Sequence, residues 1–258
     1  MIFLLNDANV EYIDQIVRRW GRVVVPFFRP GKSKTAAHVF GSGFLAYALG
    51  RHWLVTALHV IEDVLSLDAC VINVAGHGIV LERVPFFPDR ENDLAFAPID
   101  RLLSTHDIKA IPVIDLEREE SEASPLGYHP ATKNELDPRW GKIDRQLLSL
   151  TAELAPTGTL VPTEIRNPVL FAYEPKVQVD SLLNRIGPPP ALQGMSGGPT
   201  LELRATRLSE EEFRFHPRLS GVLVEWRRKE RIIVATSATR LREALSERAR
   251  RITEADAG

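Results

Sequence analysis

The sequence predicts a mostly β protein made of two six-stranded antiparallel β-barrels, with a short helix near each end. Short apolar runs alternate with glycine, proline, asparagine and aspartate, which is the usual punctuation of strands and turns. The runs fall into two groups on either side of a charged, proline-containing stretch at residues 115–145. About six short strands suit one small barrel, because closure leaves no unpaired sheet edge.

The first group predicts a helix and then the first barrel, within a domain spanning residues 1–114. Residues 7–20 carry apolar side chains at helical spacing, and Asn6 or Asp7 suits the cap. From residue 22 the runs become short and β-rich. We expect strands at residues 23–28, 42–47, 53–56, 69–74, 78–84 and 94–96.

The second group predicts the other barrel and a final helix, within a domain spanning residues 146–258. Residues 115–145 form the connection, and Leu126-Gly127-Tyr128 leads into this barrel. The polar stretch between Leu203 and Ser220 predicts a long hairpin, and helical spacing follows a cap at Ser237 or Thr239. We expect strands at residues 146–151, 158–161, 169–173, 176–179, 199–203, 220–226 and 231–235.

Composition narrows the class of protein and its compartment. The 258 residues have 44% hydrophobic and 26% charged content, which is ordinary for a globular chain. A net charge of −2 argues against a nucleic-acid partner held by broad electrostatics. The only cysteine, Cys70, rules out an internal disulfide and is expected to be buried. The apolar opening at residues 1–5 is too short for a signal or membrane segment, so we expect a cytoplasmic protein without a membrane partner.

The segment Gln193–Pro199, which reads Q-G-M-S-G-G-P, is the most informative motif. A serine nucleophile needs a tight turn that exposes its Oγ, and neighbouring glycines permit such a turn. The backbone N–H groups of Gly194 and Ser196 would then form an oxyanion hole for a developing negative charge.

Two upstream residues supply the partners that such a serine needs. The segment Leu54–Val60 predicts that His59 lies at the end of an apolar strand, and Asp93 is expected at the start of another. A serine hydroxyl is a weak nucleophile, so His59 would act as its base and Asp93 would orient the imidazole. Taken singly, each residue also suits a structural role, and Asp89 and Asp100 are the nearest alternatives to Asp93.

These motifs resemble those of the chymotrypsin/trypsin-like serine proteases over roughly residues 35–240. The T-A-x-H, D-L-A and G-x-S-G-G-P elements occur here in that family's order, which differs from the subtilisin and α/β-hydrolase orders. The lack of disulfides makes the chain more similar to bacterial trypsin-like and high-temperature-requirement proteases, here without a PDZ-like module. The resemblance implies a chymotrypsin-like fold, an acyl-enzyme mechanism, and neither cofactor nor metal.

The resemblance also implies a substrate pocket and one departure from the family. The pocket would be walled by residues 191–194 and 224–227, and Pro190 stands where trypsin carries an acid, so a Lys/Arg preference is not expected through it. Met195 replaces the aspartate that pairs with a newly cut N-terminus, so activation by clipping is not expected. The candidate pocket residues are Pro190, Gln193, Val224, Glu225 and Trp226.

Two hypotheses of different classes follow. The first is an intracellular serine endopeptidase that cleaves specific partner proteins. Its activity would be controlled by a separate regulatory or activating protein or by an oxyanion hole that is unformed in the free chain. The second is a catalytically silent interaction module that has kept the protease fold, since fold alone does not establish activity. The basic cluster at residues 227–231 indicates a solvated hairpin turn, with an exosite for an acidic partner as the alternative.

Overall fold

A computed structural model describes most of the chain and shows the predicted mostly β class. The described residues are 20–30, 37–65, 70–74, 77–108, 111–117, 124–136, 145–173, 178–180, 185–187, 192–208 and 213–256. Within them, the strands form two large sheets, and nearly all strand pairs in each sheet are antiparallel. Each half of the chain contributes one sheet. The mostly β, antiparallel prediction is therefore confirmed.

The first sheet has eight strands in the order β5-β4-β1-β2-β3-β7-β6, with β8 parallel to β2. Among the described residues this sheet is open, with β5 and β6 as its edge strands. The six-stranded barrel predicted for this half is therefore not shown. The sequence missed β6 and β8, because two or three residues are too few to give a hydrophobic pattern. The strands are β1 (Val24–Pro30), β2 (Ala37–Ala48), β3 (Arg51–Ala57), β4 (Val71–Val74), β5 (His77–Val80), β6 (Phe87–Asp89), β7 (Leu94–Pro98) and β8 (Ile114–Asp115).

The second sheet has six strands whose pairings follow one another in a ring. The strands are β9 (Ser124–Leu136), β10 (Arg145–Leu154), β11 (Val169–Ala172), β14 (Pro199–Arg207), β15 (Phe213–Arg227) and β16 (Ile232–Ser237), with β12 (Gln178–Asp180) and β13 (Arg185–Gly187) forming a separate hairpin. The ring order is β10-β11-β16-β15-β14-β9, and β9 pairs back to β10. The hairpin predicted between residues 203 and 220 is formed by β14 and β15.

Two sequence predictions in this half need adjustment. Strand β9 lies inside the stretch expected to connect the barrels, and it pairs with both β10 and β14. The strand expected at residues 158–161 is not formed. The chain instead forms a turn, in which the Thr159 N–H donates to the carbonyl of Pro156 at 3.0 Å. Prolines at 156 and 162 cannot donate to a ladder, which explains why this short apolar run is irregular.

Three α-helices lie wholly among the described residues: α1 (Leu58–Leu65), α2 (Asp100–Thr105) and α3 (Ala238–Asp256), and a short 3-10 helix covers Leu81–Arg83. The C-terminal helix α3 is the one that the sequence predicted, and Ser237 caps it by accepting the Arg240 N–H at 3.3 Å. The helix predicted at residues 7–20 falls almost wholly outside the described residues. In the described part of the chain, no helix combines the length and apolar character needed to cross a membrane.

The core is divided into three buried clusters. One fills the first sheet around Phe27, Leu54 and Ile72, and it includes Cys70, which is buried as expected. A second contains Val24, Phe44 and Trp53 of the first sheet, Leu219 and Val222 of the second sheet, and Leu241 and Leu245 of helix α3. The third lies inside the second sheet and contains Leu150, Phe171, Tyr173, Met195, Leu223 and Ile233.

Met195 lies wholly inside the third cluster, with 0% of its surface exposed. Nearby Tyr173 is 2% exposed, and burial raises the pKa of its hydroxyl to about 12. The phenol is therefore neutral at physiological pH. An apolar, uncharged pocket therefore surrounds Met195.

Replacing Met195 with aspartate should destabilise the fold by about 3–5 kcal/mol at neutral pH, because it leaves a buried charge without a partner. The volume-conserving control Met195→Leu should cost less than about 1.5 kcal/mol. Urea unfolding of the three proteins measures the difference. Equal stability of the aspartate and leucine variants would show that the side chain at 195 is not enclosed.

Candidate active site

Asp93 lies in the turn between β6 and β7, with a φ of 48°. This left-handed conformation is uncommon for residues other than glycine, but aspartate and asparagine adopt it more readily than most. Asp89 closes the same turn, because its carboxylate accepts the Asn92 backbone N–H at 3.3 Å and the Asn92 side-chain amide at 2.8 Å. Asp89 therefore holds the turn together, while Asp93 projects from it.

Asp93 caps helix α1, although the two are far apart in the sequence. The first N–H groups of a helix lack acceptors within the helix. Here the Leu58 N–H donates to the Asp93 carbonyl at 3.0 Å, and the His59 N–H donates to Asp93 Oδ1 at 2.9 Å. These contacts start a helix directly after β3. His59 is therefore the second residue of α1, and the expectation that it ends a strand was wrong.

The His59 ring makes a second contact with the same carboxylate. Its Nδ1 lies 2.6 Å from Asp93 Oδ2. An ionised carboxylate only accepts hydrogen bonds, so Nδ1 carries the proton and Nε2 is the accepting nitrogen of the ring. The two side chains are 40% and 24% exposed, respectively, so the pair is partly buried and still open to an incoming group.

Asp100, the other alternative to Asp93, belongs to a different pair. Its Oδ1 lies 2.8 Å from His52 Nδ1 and also accepts the His52 backbone N–H at 3.1 Å. Strands β3 and β7 are antiparallel, so His52 and Asp100 lie at one end of the pair while His59 and Asp93 lie at the other. The structure therefore brings His59 together with Asp93 and neither alternative.

Ser196 lies in a tight turn that leads into β14 and is half-buried. This turn contains five backbone N–H groups, those of residues 194–198. Those of Gly194 and Ser196 have no acceptor among the residues that the structure describes, and they are the pair that the sequence predicted for an oxyanion hole. The other three donate to backbone carbonyls: Met195 to Leu192 at 3.1 Å, Gly197 to Leu223 at 2.7 Å and Gly198 to Met195 at 2.9 Å.

Ser42 of strand β2 anchors this turn to the first sheet. It is fully buried; its N–H donates to the Ser196 carbonyl at 2.8 Å, and its hydroxyl donates to the Gly194 carbonyl at 2.6 Å. The Ser42 carbonyl in turn accepts the hydroxyl of Thr56 at 2.6 Å. No role was predicted from the sequence for either residue, although Thr56 opens the T-A-x-H motif. The only signal for Ser42 was a small polar residue between two glycines within an apolar strand.

Gly197 permits the closest approach between the turn and the first sheet. Its φ is 83°, and a Cβ placed there would lie 2.0 Å from the Ser42 carbonyl oxygen and 2.9 Å from the Ala57 nitrogen. Strand β3 ends at Ala57, and His59 follows two residues later. The turn that carries Ser196 is therefore packed against the chain segment that carries His59.

The Asp93 turn is fixed to the second sheet as well. The hydroxyl of Thr236, a fully buried residue of β16, donates to the carbonyl of Asn92. The contacts of Ser42 and Gly197 join the sheets on the serine side, and this bond joins them on the aspartate side. The contacting pair His59 and Asp93 and the turn that carries Ser196 are consequently both fixed at the junction of the two sheets.

The structure describes four of the five predicted pocket residues. Pro190 lies outside the described residues. Gln193 is exposed and Val224 is buried. The Glu225 carboxylate lies 2.9 Å from Arg227 Nε, and Trp226 packs edge-on against Tyr173 with ring centroids 4.9 Å apart. The residues after Arg227 form an exposed turn, as expected for a solvated hairpin.

Comparison with known proteins adds no assignment to this geometry. The sequence matches no known family, and no curated protein matches it. The chemistry of the site therefore rests on the residues and contacts described above.

Replacing Gly197 with alanine should displace the serine turn and cost several kcal/mol, because the new methyl group meets backbone atoms that cannot move away cheaply. Gly158→Ala is a matched control: its φ is also positive, at 88°, but nothing lies near its Cβ position. The control should cost only about 1–2 kcal/mol. Thermal and urea unfolding of both variants provide the comparison, and similar losses would contradict the close packing at Gly197.

Proposed function

We propose that this chain is a trypsin-like serine endopeptidase with Ser196 as nucleophile, His59 as general base and Asp93 as the orienting acid. The observation that carries the proposal is the doubly bonded His59–Asp93 pair, supported by the packing of the Ser196 turn against the end of the strand that leads to His59. A nucleophile, a base and a group that orients the base are the three parts that such a mechanism requires. The two N–H groups of Gly194 and Ser196 supply the fourth part.

The reaction would proceed through an acyl-enzyme. Ser196 Oγ attacks the carbonyl carbon of the scissile peptide bond, and its proton passes to His59 Nε2. The negative oxygen of the tetrahedral intermediate accepts from the N–H groups of Gly194 and Ser196. His59 then protonates the leaving amine as the C–N bond breaks. A water molecule, deprotonated by His59, attacks the acyl carbon, and Ser196 recovers its proton as the carboxylic acid leaves.

The proposal also covers the barrel architecture, the class of substrate, the cellular compartment and the control of activity. The second sheet's ring of pairings supports a chymotrypsin-like barrel there, and we infer that the first sheet is its counterpart. The substrate would be a protein or peptide bound where the sheets meet, since ligand sites favour such junctions. The lack of disulfides favours a cytoplasmic setting. The apolar enclosure of Met195 favours control by a partner protein over an N-terminal ion pair.

The alternative is an interaction module of the same fold without catalysis. Such a module would need neither the doubly contacted His59–Asp93 pair nor backbone N–H groups kept without acceptors. Labelling by an active-site reagent separates the two hypotheses, because a fluorophosphonate reacts covalently only with an activated serine.

Ser196→Ala should abolish both fluorophosphonate labelling and peptide hydrolysis, with turnover falling on the order of a million-fold. The fold should be unchanged, because one hydroxyl is lost from a half-buried turn. Ser246→Ala, an exposed change in helix α3, serves as the control and should label like the wild type. Intact mass and peptide mapping would locate the adduct. An adduct on another residue would refute Ser196, and a wild type that never labels would favour the silent module.

A further inference from the structure

Ser42 of strand β2 bonds to two peptide groups of the turn that carries Ser196. The residue is fully buried. Its hydroxyl donates to the Gly194 carbonyl at 2.6 Å, and its N–H donates to the Ser196 carbonyl at 2.8 Å. A carbonyl oxygen only accepts hydrogen bonds, so Ser42 is the donor in both contacts. One small residue therefore holds the turn on both sides of Met195.

Each of these two peptide groups is bonded at both of its polar atoms. The group after Gly194 accepts from the Ser42 hydroxyl, and its own N–H donates to the Leu192 carbonyl at 3.1 Å. The group after Ser196 accepts from the Ser42 N–H, and its own N–H donates to the Leu223 carbonyl at 2.7 Å. Because bonds on opposite sides resist rotation of a peptide plane, both planes are fixed.

The two N–H groups proposed for the oxyanion hole adjoin these fixed planes. The Ser196 N–H belongs to the peptide group between the two fixed ones, and the Gly194 N–H belongs to the group before them. Neither N–H has an acceptor in the part of the chain that the structure describes. Their directions therefore depend on the neighbouring planes, and Ser42 supplies one of the two bonds at each of those planes.

Glycines on both sides of Ser42 let strand β2 approach its neighbours closely. A Cβ at Gly41 would lie 2.4 Å from a methyl carbon of Val60 in helix α1. A Cβ at Gly43 would lie 2.7 Å from the carbonyl oxygen of Val55 in strand β3. Strand β2 has no room to shift toward either element. Ser42 is therefore fixed relative to the chain segment that carries the proposed base.

We propose that Ser42 is a positioning residue of the oxyanion hole. Its hydroxyl and N–H hold the serine turn so that the N–H groups of Gly194 and Ser196 stay available for the negative oxygen of the tetrahedral intermediate. Such donors are effective when they are organised before the reaction begins. Ser42 is buried and acts only through the turn. Its effect on catalysis rests on the proposed endopeptidase function, whereas its hold on the turn does not.

Loss of the Ser42 hydroxyl should affect the oxyanion donors and leave the proposed base in place. In Ser42→Ala the Gly194 carbonyl loses its side-chain donor. A buried acceptor without a donor is costly, so the peptide group after Gly194 should reorient and displace the N–H groups beside it. The bonds between His59 and Asp93 do not involve Ser42, and that pair should remain.

The rate of fluorophosphonate labelling, measured against pH on the full chain, tests this role. Ser220→Ala is the matched control, because the Ser220 hydroxyl also donates to a backbone carbonyl, that of Thr200, at 3.0 Å and outside the serine turn. Ser42→Cys is a second variant of similar shape, since a thiol is a weaker donor than a hydroxyl. Urea unfolding of each variant confirms that it is folded.

Ser42→Ala should label at least about tenfold more slowly than the wild type and Ser220→Ala, and removal of an oxyanion donor itself costs roughly 10²–10³-fold. Ser42→Cys should fall between Ser42→Ala and the wild type. The midpoint of the pH dependence, which reports the base, should not move. Equal rates for Ser42→Ala and Ser220→Ala would overturn the proposal. A shifted midpoint with an unchanged limiting rate would also overturn it, because the effect would then lie on His59.

Amide hydrogen exchange, followed by NMR, gives a second readout that does not depend on catalysis. The Met195 N–H belongs to the peptide group after Gly194, so it should exchange about tenfold faster in Ser42→Ala than in Ser220→Ala. Unchanged exchange at Met195 would overturn the proposal whether or not the protein labels. Faster exchange in a protein whose wild type never labels would contradict the proposed function and leave the hold of Ser42 on the turn.

Discussion

The hydrogen bonds of the Asp93 turn are the constraint on which the rest of the site depends. One residue with a left-handed backbone caps helix α1 through its carbonyl and Oδ1, and it orients the His59 ring through Oδ2. The residue before it is tied to the second sheet by Thr236. One short turn therefore orients the imidazole, starts helix α1 and ties the two sheets together.

The serine side of the site depends on small residues instead. Gly197 permits contact between the turn and the end of β3, and the hydroxyl and N–H of Ser42 fix the carbonyls on either side of Met195. With these carbonyls fixed and Met195 enclosed in apolar surroundings, the N–H groups of Gly194 and Ser196 have no acceptor in the part of the chain that the structure describes. An oxyanion site must be organised in this way before a substrate arrives, because reorganisation during the reaction would cost free energy.

The sequence predicted what depends on local pattern and missed what depends on long-range contact. Strands such as β3 and β7 and helix α3 follow from runs of apolar residues and a serine cap. Helix α1 was missed because its cap, Asp93, comes from a distant turn. The motifs supplied His59, Asp93 and Ser196, and Thr56 stands in one of them without a predicted role. The positioning groups Ser42 and Thr236 have no sequence signature, since a buried hydroxyl is recognised only by its partner. The irregular run at residues 158–161 shows the reverse case, in which flanking prolines outweigh an apolar pattern.

The most direct test of this account is the rate of Ser196 labelling by a fluorophosphonate in the wild type and in Asp93→Asn. Asparagine tolerates the left-handed backbone, and its side-chain oxygen still caps α1, so the fold should remain. Its amide would donate to Nδ1 and force the imidazole proton onto Nε2, so that Nε2 can no longer accept the serine proton. We expect the labelling rate at neutral pH to fall on the order of 10⁴-fold, with an unchanged circular dichroism spectrum. A folded Asp93→Asn protein that labels at close to the wild-type rate would contradict the central claim that this carboxylate prepares His59 to activate Ser196.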